Sequence, residues 1–127
     1  MSISNVHEKL LFFTKQKSLI TNKMSNLQMQ ILSNTRNQLL KQQDYNAQLK
    51  SCADEYGFGS EEYNEFFVIL NSEHEFEMAS ITAWESNLDA QKENLENQLN
   101  EITNYEKTYQ TLLQQNIKRD FMYGQGK

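Results

Sequence analysis

The chain of 127 residues contains no proline. Proline removes a helix hydrogen bond and clashes with the preceding turn, so the strongest interruption to a helix is missing throughout. Glycine, which costs roughly 1 kcal/mol in a helix interior, occurs four times, and Gly124 and Gly126 lie among the last four residues. Only Gly57 and Gly59 remain to break the chain internally. Such a sequence is free to form very long helices, and the expected fold class is all-α.

The break is expected over residues 53–60, Ala53-Asp54-Glu55-Tyr56-Gly57-Phe58-Gly59-Ser60. Two closely spaced glycines are a turn signal, and Ser60 followed by Glu61 and Glu62 suits a helix start, where a hydroxyl and acids meet free N–H groups. The sequence therefore predicts a helix over about 4–52, a turn over 53–60 and a second helix over about 60–122, together one helical-hairpin domain. Asn71-Ser72-Glu73-His74 offers a second break, since Asn and Ser favour caps over helix interiors.

Apolar spacing supports both helices. In the first, Val6, Leu10, Phe13, Ile20, Met24, Leu27 and Ile31 recur in steps of three and four, with Lys17 the one lapse. Leu32, Thr35, Leu39 and Leu49 then suggest a shifted stripe. In the second, Ile81, Trp84, Leu88, Leu95, Leu99, Ile102 and Tyr109 form the seam. Ile81, Leu88, Leu95, Ile102 and Tyr109 lie seven apart, the spacing of coiled-coil packing. Hydrophobic residues make up 38% of the chain, while 27 residues are Asn or Gln. A narrow seam between long helices needs fewer apolar residues than a layered core. Whole-chain disorder fits poorly, because 14 residues are aromatic and disordered chains are poor in aromatics.

Charge separates the halves. Residues 1–52 hold seven Lys/Arg and two Asp/Glu, and residues 53–127 hold five and fifteen, giving +5 and −10. Folding them back antiparallel sets a basic helix beside an acidic one. Each exposed pair contributes only a few tenths of a kcal/mol, but the summed field disfavours pairing like with like. The same complementarity would equally join different subunits.

Catalysis finds little footing. His7 and His74 lack a partner at a metal-ligand spacing, and neither HExxH nor CxxC occurs. The lone cysteine, Cys52, reads as a small seam residue. Gly57-Phe58-Gly59 lacks the remainder of a phosphate loop, and acids surround it. Glu61, Glu62, Glu65, Glu73, Glu75 and Glu77 do not follow the calcium-loop pattern and read as a solvated face. A pI near 5.0 and scattered cations argue against nucleic acid. No catalytic residue, metal ligand, cofactor or small-molecule substrate is expected. The longest apolar runs, Leu10–Phe13 and Phe66–Leu70, span four and five residues, against about 20 for a membrane-crossing helix. The opening Met1–Asn5 lacks the features of a cleaved signal. A chain made in the cytoplasm is expected, with export by a route that uses no cleaved signal left open.

The expected interaction surface is aromatic: Tyr56, Phe58, Tyr63, Phe66, Phe67, Ile69 and Leu70 around the turn, with Phe121 and Tyr123 at the far end. Phe66–Leu70 is apolar all round, more than one partner helix can cover. Local packing at the hairpin head and a contact between subunits both account for it.

The start Met1–Asn5, the proline-free arms, the central turn and the heptads of 81–109 together resemble the small helical-hairpin proteins of type III and flagellar export, which include filament subunits and stalk or chaperone-like coiled coils. That resemblance implies a non-enzymatic protein whose partner is protein. Two readings follow: a structural subunit that self-assembles into a homo-oligomer, or an adaptor or chaperone-like hairpin that serves one larger partner.

Overall fold

The computed structural model describes residues 2–125 and is an all-α antiparallel hairpin of two long helices packed against each other. Helix α1 runs Ile3–Tyr56 and helix α2 runs Glu61–Gln125, 54 and 65 residues. Ser2 caps α1, its Oγ accepting the Asn5 N–H at 3.2 Å. No helix among the described residues is long and apolar enough to cross a membrane.

α1 continues four residues beyond the expected boundary at Cys52. Asp54 and Glu55 were assigned to the turn, yet acids are tolerated in a final turn that faces water. Gly57 ends the helix: its φ is +87°, and its N–H reaches the Ala53 carbonyl at 2.9 Å, a left-handed cap. The chain reverses over Gly57–Ser60, closed by the Ser60 N–H on the Gly57 carbonyl at 3.1 Å. Gly59 stands at φ +80°, the value a type II turn requires at its third position. Ser60 then caps α2, its Oγ accepting the Tyr63 N–H at 3.1 Å.

No break forms at Asn71–His74, where α2 is continuous. The side chains that would have capped a helix end bond elsewhere. Asn71 donates to Glu75 and accepts from the Tyr45 hydroxyl, and His74 meets Gln42.

The chain packs as two compact units, one of Met1–Asn26 with Gln91–Lys127, the other of Leu27–Ala90. In the first, Val6 and Ile20 are buried, and Leu10, Phe13, Met24, Leu95, Leu99, Ile102 and Tyr109 are half-buried. Phe13 lies between Tyr105 and Tyr109, with ring centroids at 6.0 and 5.3 Å. Lys17, the lapse in the stripe, stays in line with the seam and pairs with Glu106 at 3.1 Å.

In the second unit Leu27, Tyr63, Ile81 and Leu88 are buried and Ile31 is half-buried. The expected shift of the α1 stripe does not occur. Leu32 and Leu39 are 61% and 58% exposed, and Thr35 is exposed with its hydroxyl on the Ile31 carbonyl. The seam keeps its original phase through Asn34, Gln38, Lys41, Gln42, Tyr45 and Leu49, all half-buried. An unbroken helix cannot change the face it presents without a local distortion, and the chain has no residue here that would favour one.

Candidate interaction surfaces

The polar seam of the second unit follows from that fixed phase. Amides and charges brought between the helices must find partners there, because a buried polar group without one costs about 1–3 kcal/mol. Asn34 donates to the Ile81 carbonyl at 3.4 Å, and Lys41 faces Glu77 at 3.7 Å. Gln42 meets His74 at 3.1 Å, and Tyr45 donates to Asn71 at 3.1 Å. Positions rise along α1 as they fall along α2, the order an antiparallel pair requires.

The apolar residues of this stretch are consequently left outside. Leu32, Leu39 and Met78 line one shallow groove with Thr35, Arg36 and Gln42. Leu40 and Trp84 line another with Ser33, Asn34 and Asn37. Trp84 was expected in the seam but is 47% exposed and sits at its margin. It lies one turn from both Ile81 and Leu88, which take the buried positions.

At the turn the aromatic residues divide. Tyr63 is buried and Leu70 half-buried, so both belong to the helix–helix packing rather than to an outer surface. Tyr63 is the local centre, with Phe58 at 5.3 Å and Phe67 at 6.2 Å between ring centroids. Tyr56 stacks on Phe66 at 5.1 Å. Outside these contacts Phe66, Phe67 and Ile69 are 41%, 38% and 54% exposed and Phe58 is 84% exposed. The neighbouring carboxylate of Glu55 holds the Tyr56 phenol above its ordinary pKa of 10.0. Val68 and Phe76 are likewise exposed, by 65% and 77%. Phe76 falls at helical spacing from Phe66 and Ile69, a signal present in the sequence.

In the other unit Phe121 and Tyr123 are exposed, as is Met122 between them. Leu11, Phe12 and Leu19 in the first helix are exposed as well, on the side away from the inward stripe. Such residues matter collectively, since extended apolar surface marks an interface or an aggregation hazard.

Among the described residues, no group of three or more His, Cys, Asp or Glu is placed to hold a metal ion. Cys52 is half-buried and free. No family model, curated protein or solved structure matches the chain.

Proposed function

We propose that this protein is a non-enzymatic structural subunit that associates with further copies of itself through apolar side chains its own hairpin leaves outside. One observation carries the reading: over residues 32–40 the seam holds Asn34 and Gln38 while Leu32, Leu39 and Leu40 are at least half exposed. A hairpin serving only its own stability gains more from the opposite placement, because each leucine removed from water contributes about 1.5–3 kcal/mol. Outward leucines beside a polar seam suit a chain whose apolar contacts are completed by another molecule. The exposed aromatics at the turn point the same way, since aromatic side chains dominate interface energetics.

Size-exclusion chromatography with light scattering tests this reading. The expected result is a mass above one chain that rises with concentration, at unchanged helicity. Leu32→Ser with Leu39→Ser is expected to lower that mass without loss of helix. A wild-type chain that stays monomeric at high concentration and low salt overturns self-association. The adaptor reading, a hairpin that serves one larger protein, then takes its place.

A further inference from the structure

The two packed units regroup the charges that the sequence halves carry. Met1–Asn26 with Gln91–Lys127 holds nine Lys/Arg and six Asp/Glu, a net +3, whereas Leu27–Ala90 holds three and eleven, a net −8. Eight of those eleven acids lie on α2 between Glu61 and Asp89, a stretch without any Lys or Arg. Of the three cations in that unit, Lys41 already faces Glu77. The acidic unit does not neutralise itself, and its counterpart is carried by the other unit of the same chain.

The exposed apolar residues follow the charges. On α1, Lys9, Phe12, Leu19 and Lys23 are exposed and share one helix face by their spacing of three, seven and four. On α2, Glu62, Phe66, Ile69, Glu73 and Phe76 are exposed and share one face by alternating steps of four and three. Both stripes are 15 residues long. In one, Lys9 and Lys23 bracket two apolar side chains, and in the other Glu62 and Glu73 bracket Phe66 and Ile69, with Phe76 beyond. Phe66 keeps an open edge even with Tyr56 stacked on it.

We propose, resting on the self-association reading, that the occupant of the Glu62–Phe76 stripe is the Lys9–Lys23 stripe of a second copy of this chain. Apolar side chains supply the buried area, and Lys9 and Lys23 against Glu62 and Glu73 set which surfaces meet. Pairing like stripes would place carboxylate on carboxylate or cation on cation, and the mismatch is penalised. The contact is between different surfaces of the two copies, so each copy offers one stripe and accepts the other.

Charge exchange between two variants tests the pairing. Variant one carries Lys9→Glu and Lys23→Glu, so both of its stripes are acidic. Variant two carries Glu62→Lys and Glu73→Lys, so both are basic. All four positions are exposed, and circular dichroism serves as the check that each variant keeps its helices. Association is read by sedimentation velocity at low salt, for each variant alone and for an equal mixture. The expected result is association weakened about tenfold or more in each variant alone and restored in the mixture. Association of both variants at wild-type strength overturns the stripe pairing while leaving self-association standing. Weakening of each without recovery on mixing also overturns it. A wild-type chain that is monomeric under the same conditions overturns the pairing and the self-association reading together.

Discussion

The Tyr45 ring lies flat on the His74 imidazole, their centroids 4.1 Å apart and their planes 9° from parallel. Each ring also spends a polar atom across the seam, the Tyr45 hydroxyl on Asn71 and the His74 Nε2 on Gln42. His74 Nδ1 is buried without a hydrogen-bond partner among the described residues. The stack and the two hydrogen bonds join the helices in one layer, beside one unmatched polar atom.

His74→Phe keeps a flat ring against Tyr45 and removes that atom. It loses one hydrogen bond of about 1 kcal/mol and relieves a desolvation cost of about 1–3 kcal/mol, so the melting temperature is expected to hold or rise. Tyr45→Ala removes the stack and the Asn71 bond together and is expected to cost about 2 kcal/mol. Thermal unfolding followed by circular dichroism separates the two. A fall after His74→Phe as large as after Tyr45→Ala would show that the polar contacts, not the stacking, hold this layer.

The neighbouring amide makes the same point in reverse. Gln38 sits in the seam and Leu39 outside it. Gln38→Leu is expected to raise hairpin stability by about 1 kcal/mol. Leu39→Gln is expected to change it by less than about 0.5 kcal/mol while weakening association. Denaturant unfolding measures the first effect and light scattering the second. Equal stability changes at the two sites would mean that both face the same environment.

Much of this architecture was readable from residue types. Proline's absence and the Gly57/Gly59 pair specify two helices and one reversal, because few other residues take positive φ without strain. Of the seven-residue ladder Ile81, Leu88, Leu95, Ile102 and Tyr109, the fold buries the first two and half-buries the other three. The exit from α1 was misplaced because Asp54 and Glu55 look like loop residues, while a glycine cap four positions after Ala53 decides the boundary. The stripe beyond Ile31 was misread for a different reason. Hydrophobicity at Leu32 and Leu39 pointed to one face, but helix continuity holds the other, and a sequence pattern carries no term for that continuity. Leu11, Phe12 and Leu19 lie off the inward stripe of α1, so its spacing does not mark them.

Leu88 is 1% exposed, deep in the second unit. Leu88→Ala is expected to lower stability by about 3 kcal/mol through lost burial and the cavity left behind. Trp84→Ala, at the margin of the same helix, is expected to cost less, because 47% of Trp84 is already in water. Denaturant midpoints at constant slope give both values. A larger loss at Trp84 would place the structural centre of this unit on the indole.

Gly57 and Gly59 have φ of +87° and +80°, and a Cβ at either would meet nothing within 4 Å. The space is open, so the cost of an added methyl comes from the backbone alone. Gly57→Ala and Gly59→Ala are each expected to destabilise the turn by about 1–2 kcal/mol. Asn, which tolerates the left-handed region, is expected to cost less at both positions. A neutral Gly57→Ala would mean that α1 ends by another route.

Lys17 and Glu106 meet at 3.1 Å with side chains 34% and 17% exposed, in a seam otherwise made of Phe13, Ile20, Ile102 and Tyr109. The less exposed partner is the carboxylate, so the two single losses are not equivalent. Lys17→Met leaves Glu106 shielded and without its cation, and a cost of about 1–2 kcal/mol is expected. Glu106→Met frees the ammonium, which reaches water on its flexible stem, and a smaller loss follows. The double change Lys17→Met with Glu106→Met replaces the pair by apolar groups of similar length and is expected to match or exceed wild-type stability. A double-mutant cycle on unfolding free energies measures all three. Costs that simply add would show that the two side chains act independently. A double variant at least as stable as wild type, with both single variants less stable, would show that the pair is coupled and that apolar groups in its place hold the seam as well.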